Sequence, residues 1–258
     1  MATKKVYELR CPHCGAEVAA ELWEAVDGGD DGERRALLNG EVNRVTCAAC
    51  GKGFRVDKAV VYKDAESGIF VQYDPVTGGK SLEEVEALFQ KARAALEGSL
   101  GDDMPEIHLT VEWPELIERI YLLEEGLNAR LVEHIKYVLY SRNPGKLDAE
   151  KKSLLFDAED STEEALCFVV QDRASKRLEA VLNFARSDYE ALENAFLGDG
   201  GALLLEEEFP GGYWSGRRKF LADRAEGMDG MGGMKGMEGM EGMGGHDDCG
   251  CGCEGGHE

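Results

Sequence analysis

Two copies of one short cysteine motif constrain this chain more than any other feature of its sequence. The first reads Cys11-Pro12-His13-Cys14-Gly15 and the second reads Cys47-Ala48-Ala49-Cys50-Gly51. A two-residue gap lets the backbone fold back so that both sulfurs face one ion, and two such turns supply the four thiolates of a tetrahedral zinc site. The glycine after each motif permits a tight turn with backbone amides near sulfur. The sequence therefore predicts one structural zinc ion, with ligands Cys11, Cys14, Cys47 and Cys50.

A redox role is the main alternative for the first motif. Its tetrapeptide, Cys11 to Cys14, matches the active-site motif of some thioredoxin-fold disulfide oxidoreductases. Such a motif lies at the junction of a strand and a helix, whereas Gly15 follows here and a second cysteine pair lies downstream. Four protein ligands would also leave no position at zinc for a catalytic water. The pattern favours a structural zinc site over thiol–disulfide exchange and over zinc catalysis.

Charge and hydropathy narrow the classes of partner and compartment. The 258 residues carry 51 acidic and 29 basic side chains, for a net charge of −22. A polyanion repels phosphate backbones, so nucleic acid is not expected as a partner. An acidic surface suits solubility and basic partners, and a solvated surface is the favoured interpretation. No run approaches the ~20 apolar residues of a membrane helix, and no apolar stretch of a secretory signal follows the N-terminus. We therefore expect a cytoplasmic protein without a membrane partner, in which reduced cysteine pairs bind metal.

Hydrophobic patterns and composition predict an α+β fold in four parts. A zinc-ribbon-like β module comes first, because short apolar runs flank both cysteine pairs and then form a hairpin. Helical periodicity follows, and a second segment then mixes strands and helices. The chain ends in a Gly- and Met-rich tail that lacks the branched and aromatic residues of a core and is predicted to be disordered. The predicted boundaries are 1–78, 79–145, 146–221 and 222–258.

Cap and turn residues predict where several helices begin and end. Ser81 and Glu84 form a capping box, which opens a helix that Gly98 is expected to end. Gly126 is expected to separate the next two helices. The pattern from Ser187 to Glu190 resembles the first capping box and predicts the start of a further helix.

The end of the tail holds a second group of soft metal ligands. Thiolates and imidazoles so close together on a flexible chain can bind Cu(I) or a second zinc ion, and six methionine thioethers lie just upstream. Single-residue spacing between cysteines gives poor tetrahedral geometry within one chain. A flexible tail that maintains solubility or contacts a partner is therefore the alternative. The candidate ligands are His246, Cys249, Cys251, Cys253 and His257.

Three other residues are candidates for chemistry or for the core. His108 lies near Asp102 and Asp103 and could belong to a metal or acid–base cluster, but a polar loop is the favoured interpretation. His134 is expected at the surface of a helix. Cys167 falls inside an apolar run, which predicts a buried core thiol.

Three stretches around the cysteine pairs carry a family resemblance. Glu21-Leu22-Trp23-Glu24 follows the first pair, Leu37-Leu38-Asn39-Gly40-Glu41-Val42-Asn43 precedes the second, and Phe54-Arg55-Val56-Asp57 follows it. They resemble the CpXC-domain family of bacteria and archaea, which is named for its paired C-P-x-C motifs, and the likeness continues to Lys136. The second motif lacks the proline, which is not a ligand. The family is functionally uncharacterised, so the resemblance implies the domain and the zinc site but no activity.

These observations support one leading hypothesis and two alternatives. The leading hypothesis is a non-enzymatic, zinc-stabilised protein that binds another protein or regulates an assembly. The first alternative is a metal-handling protein whose tail delivers or senses copper or zinc. The second alternative is a thiol–disulfide oxidoreductase that acts through the first cysteine pair.

Overall fold

A computed structural model of the chain describes residues 2–101, 104–198 and 202–231. Contacts divide the chain into two units, residues 1–222 and 223–258, and only the end of the last helix is described in the second. The predicted α+β fold is confirmed. Over the described ranges, no helix is both long and apolar enough to cross a membrane.

The described residues form two main sheets, one small hairpin and seven helices. The strands are β1 (Thr3–Arg10), β2 (Glu17–Asp27), β3 (Arg44–Thr46), β4 (Gly53–Arg55), β5 (Val60–Asp64), β6 (Ile69–Tyr73), β7 (Ile107–Thr110), β8 (Lys152–Asp157), β9 (Ala165–Asp172) and β10 (Leu178–Ala185). The helices are α1 (Asp31–Leu38), α2 (Leu82–Leu100), α3 (Trp113–Glu124), α4 (Ala129–Arg142), α5 (Arg186–Leu197), α6 (Ala202–Glu208) and α7 (Gly216–Met231).

The first sheet has five strands in the order β1-β2-β5-β6-β7. The antiparallel pair β5 and β6 is the predicted hairpin, and it turns at Gly68, whose φ of 70° is favoured by glycine. Helix α3 packs on the sheet, and its buried Leu116 and Ile120 join Val26 and Val71 in one apolar core. Strand β7 was not predicted, because four residues are too few to show a period beside helices. It pairs with β6 inside the range 79–145 that was expected to be helical.

The second sheet has three antiparallel strands in the order β10-β9-β8. One face carries Phe156 and Phe168, which pack against Leu131 and Ile135 of α4 and Tyr189 of α5. The other face holds a row of cross-strand neighbours, because Leu155 pairs with Val169 and Val169 pairs with Val181. The strands predicted for this segment are confirmed.

Several predicted helix boundaries need correction. The Ser81 capping box is present, but α2 continues through Gly98 and ends at Leu100, with Gly101 as its C-cap. A glycine inside a helix costs only about 1 kcal/mol relative to alanine, so it does not force an end. Helix α5 begins one residue before Ser187, because β10 runs directly into it, and no side-chain cap bond forms there. Helix α7 continues to Met231, so the first residues of the predicted tail are helical.

Candidate metal centre

The turn between β1 and β2 positions the first cysteine pair. The backbone N–H of Cys11 donates to the Ala16 carbonyl at 2.9 Å, and the N–H of Gly15 donates to the Cys11 carbonyl at 2.9 Å. Gly15 has a φ of 75°, in the left-handed region where a side chain would be strained. These bonds fold the chain back on itself and bring Cys11 and Cys14 to the same side of the turn.

The turn between β3 and β4 repeats this arrangement. The N–H of Cys47 donates to the Lys52 carbonyl at 3.0 Å, and the N–H of Gly51 donates to the Cys47 carbonyl at 2.8 Å. Gly51 has a φ of 70°. The donor and acceptor offsets along the chain are the same as in the first turn, so the two motifs form the same knuckle.

The two knuckles face each other and bring four sulfurs together. The Sγ atoms of Cys11 and Cys50 are 3.8 Å apart, and those of Cys14 and Cys47 are 3.7 Å apart. All four Sγ atoms lie within 4.8 Å of one another. A zinc–sulfur bond of about 2.3 Å implies a tetrahedron with edges of about 3.8 Å. The donor set and its spacing therefore fit a tetrahedrally coordinated metal ion.

The cysteine thiols of the site differ in solvent exposure and in pKa. Cys11 and Cys47 are buried, whereas Cys14 is exposed. Burial acts to raise the pKa of Cys11, but hydrogen bonds from the backbone amides of His13 and Cys14 outweigh it and lower that pKa to about 6. The backbone amide of Ala16 acts to lower the pKa of Cys14, but its contact with the Cys50 thiol and burial raise that pKa to about 12. A thiolate at Cys11 is thus favoured by its own turn, as metal binding requires.

The redox alternative lacks its usual structural context. A thioredoxin-type cysteine pair opens a helix, whose N-terminus stabilises the thiolate. Here strand β2 begins at Glu17, three residues after Cys14, and no helix starts in the turn. The sulfur of Cys11 instead lies beside Cys50 of the other knuckle.

A second group of potential ligands forms at the start of the β8–β9 connection. One ligand atom each from Asp157, Asp160 and Cys167 lies within the same 4.8 Å limit. Asp157 Oδ1, however, accepts the backbone N–H groups of Glu159 and Asp160, which is the role of an Asx turn. Cys167 is buried, as predicted. The tail candidates, His246 to His257, lie outside the described residues.

Two histidines occupy places that the sequence did not predict. His108 lies in β7 and is 4% exposed, so the polar-loop interpretation is wrong for it, and its neighbours Asp102 and Asp103 are outside the described residues. Burial, and then the charge of Arg119, lower the pKa of His108 to about 3. His134 is half-buried, and its Nδ1 lies 2.7 Å from Oε2 of Glu208.

A buried ionic network was missed altogether. Lys136 Nζ lies 2.6 Å from Glu118 Oε1 and 2.9 Å from Glu133 Oε1. Arg119 Nη2 lies 3.6 Å from the same Glu133 oxygen. Charged residues at helical spacing normally indicate a solvated face, so only the packing of α3 and α4 reveals that this face is internal.

Residues 9–136 match the family described as CpXC protein. This chain is a CpXC-domain protein. The CpXC domain thus includes both knuckles and ends within α4, and the predicted resemblance is confirmed. The second sheet lies outside the matched range. No curated protein and no solved structure matches the sequence.

Proposed function

We propose that the CpXC domain holds one structural zinc ion and that the whole protein is a non-enzymatic, zinc-stabilised module that binds another protein. The observation that carries the zinc assignment is the pair of matched knuckles, whose sulfurs are separated by distances of 3.7 Å and 3.8 Å. Four thiolates with backbone amides around them are typical of structural zinc. We place the protein in the cytoplasm, where thiols remain reduced.

A structural role follows from what the ion would connect. Strands β3 and β4 have three residues each and form a sheet of their own. An isolated hairpin of this size is marginal in water. A zinc ion bound by both knuckles would cross-link this hairpin to β1 and β2. In zinc-finger peptides such binding contributes on the order of 10–16 kcal/mol.

The closed ligand set argues for stabilisation and against catalysis at the ion. With four sulfurs as ligands, a tetrahedral zinc ion has no open position for a water or substrate. The activity proposed for the protein is therefore binding, and the surface that would carry it must be sought away from the knuckles.

Metal analysis of the purified protein tests the zinc assignment. We expect one tightly held zinc ion per chain in protein lacking residues 232–258, so that the tail cannot contribute. In that background Cys47→Ser is expected to lose the ion and to lower the melting temperature. The matched control is Cys167→Ser, which changes a buried thiol outside the knuckles and should retain the ion. Full zinc content in Cys47→Ser would refute the assignment.

A further inference from the structure

An open groove lies between α3 and the outer face of the second sheet. Its volume is about 680 Å³. Ile117 and Tyr121 of α3 line one side, and Leu155 and Val169 of the sheet line the other. The groove is distant in sequence from the cysteine motifs and has no role in the proposed zinc site.

The floor of the groove is apolar and continues across the sheet. Leu155, Val169 and Val181 are direct cross-strand neighbours, so their side chains share one face. Strands about 4.8 Å apart make this row about 10 Å wide. Val181, at the outer edge, is 54% exposed. Val169 in the middle of the row is buried at 8% exposure and Leu155 is half-buried, so the row opens to solvent at Val181 and along the groove. Apolar side chains that border an open groove and continue to an exposed edge indicate a contact surface.

The rim of the groove is acidic. Glu125 at the end of α3 and Glu159 in the β8–β9 connection both line it and are exposed. Among the described residues, neither carboxylate has an ion pair, and neither accepts a hydrogen bond. The one basic residue lining the groove within the described ranges, Arg34, forms two hydrogen bonds to Glu124, at 2.8 Å and 2.7 Å. Its charge is therefore compensated.

The acidic character extends beyond the groove. A neighbouring depression of about 640 Å³ shares Glu125 and Ala158 with it and is lined also by Glu163, Glu190 and one basic residue, Arg186, whose Nε donates to the Thr162 carbonyl. The β8–β9 connection contains Glu159, Asp160, Glu163 and Glu164 and no basic residue. A ligand in the groove would therefore meet apolar side chains at the floor and uncompensated negative charge along one end.

We propose that this groove binds a segment of another protein that carries large apolar side chains next to lysines or arginines. Only a ligand with both kinds of group on one backbone can pack against the apolar floor and pair with the acidic rim at the same time. A second copy of the chain fits less well, because each copy carries a net charge of −22. The chain's own residues 232–258 also fit poorly, with one lysine against six acidic residues. This inference rests on the proposed binding role and is independent of the zinc site.

Fluorescence anisotropy with labelled peptides tests the proposal on the full chain. The probe alternates leucine and phenylalanine with lysine. One comparison peptide replaces its lysines with glutamine, and the other replaces its apolar residues with serine. The rim variant is Glu125→Gln/Glu159→Gln, and the floor variant is Leu155→Thr, which removes the apolar side chain but places a residue with high strand propensity there. The charge-matched control is Glu66→Gln/Glu150→Gln, at two exposed positions away from the groove. Zinc content and melting temperature are measured for every variant.

We expect the probe to bind more tightly than either comparison peptide. The rim variant should weaken it about three- to tenfold, and added salt should do the same. The floor variant should weaken it by about fivefold or more, and the control by less than twofold. If the probe binds the floor variant and the wild type equally, or if the serine peptide binds the wild type as tightly as the probe does, charge attraction alone accounts for binding. Either result would overturn the proposal.

Three other outcomes separate this proposal from its alternatives and from the zinc assignment. Self-association of the wild type that Leu155→Thr abolishes would identify a second copy as the occupant, which contradicts the proposal. If the zinc-loaded protein binds no probe, the groove assignment fails while the zinc assignment stands. If the protein binds the probe but contains no zinc and takes up none when zinc is added, the groove assignment stands while the zinc assignment fails.

Discussion

The side chain of Asn43 exchanges two hydrogen bonds with the backbone of Trp23. Its Oδ1 accepts the Trp23 N–H at 2.7 Å, and its Nδ2 donates to the Trp23 carbonyl at 3.2 Å. Asn43 is buried and has a φ of 57°, a left-handed conformation that asparagine tolerates better than most residues. Because Trp23 lies on β2 and Asn43 immediately precedes β3, this contact aligns the two knuckles without contributing a ligand.

Replacing Asn43 with alanine should therefore destabilise the fold and weaken the metal site together. Two lost hydrogen bonds, a buried unsatisfied backbone group and left-handed strain predict a decrease of about 2–4 kcal/mol in unfolding free energy. Urea denaturation and zinc transfer to a chromogenic chelator measure the two effects. Asn183→Ala, at an exposed position on β10, serves as the control. Unchanged chelator kinetics in Asn43→Ala would show that the contact does not position the second knuckle.

Thiol labelling should separate exposure from metal protection. In zinc-loaded protein we expect N-ethylmaleimide to leave Cys14 unmodified although its side chain is exposed, because a metal-bound thiolate is a poor nucleophile. After chelation Cys14 should react measurably faster than in the zinc-loaded protein, at a rate limited by its raised pKa, whereas Cys167 should stay protected by burial until the protein unfolds. Peptide mass spectrometry reads both positions. Labelling of Cys14 at the same rate before and after chelation would argue against its role as a ligand.

The ion pair between Lys136 and Glu118 should be important for stability. Lys136→Met leaves Glu118 buried without a cation and Glu133 with Arg119 alone, and we expect a loss of about 3–5 kcal/mol in unfolding free energy. The double variant Lys136→Met/Glu118→Gln should regain part of it, because the uncompensated charge of Glu118 is removed. Lys151→Met is the matched control, since its ion pair with Asp148 is exposed and should contribute about 0–1 kcal/mol. Chemical denaturation gives all three values, and equal effects of the two lysine variants would contradict the buried network.

Glu115 should make stability depend on pH. Burial, and then the charge of Glu112, raise the pKa of Glu115 from 4.5 to about 7. Because the pKa of Glu115 is higher in the folded protein than in the unfolded chain, its protonated form contributes to folding stability. That contribution is fully present below the unfolded pKa and is lost as pH rises to about 7. The Glu115→Gln variant should therefore gain stability relative to wild type between about pH 4.5 and pH 7, by at most about 3 kcal/mol. Denaturation at several pH values measures the difference, and Glu150→Gln should show none of it.

Truncation separates the two metal-binding hypotheses. Deleting residues 232–258 should leave the zinc content of the knuckles unchanged and should not alter the melting temperature. If the tail has the metal-handling role predicted from His246, Cys249, Cys251, Cys253 and His257, the full chain should bind Cu(I) that the truncated chain does not. A competition assay with a Cu(I)-specific chromophore measures the difference. Identical copper uptake by both chains would contradict the role of the tail.

The helix boundaries show which structural features can be predicted from neighbouring residues in the sequence. The Ser81 capping box predicts the start of α2, because cap and backbone lie within one turn. The Ser187 pattern fails for α5, because continuity with β10 decides where that helix begins. Short-range interactions are therefore predictable only where no neighbouring element competes with them.

The sequence by itself determined each cysteine knuckle, the hairpin that turns at Gly68 and the start of α2. In each case the interacting atoms lie within a few residues of one another. The tertiary structure alone decided that His108 is buried in β7, that Lys136 and Glu118 form an internal ion pair, and that Leu155, Val169 and Val181 form one row. These contacts join residues that are distant along the chain. Their free energy depends on which surfaces exclude water together, and no local pattern of residues specifies that.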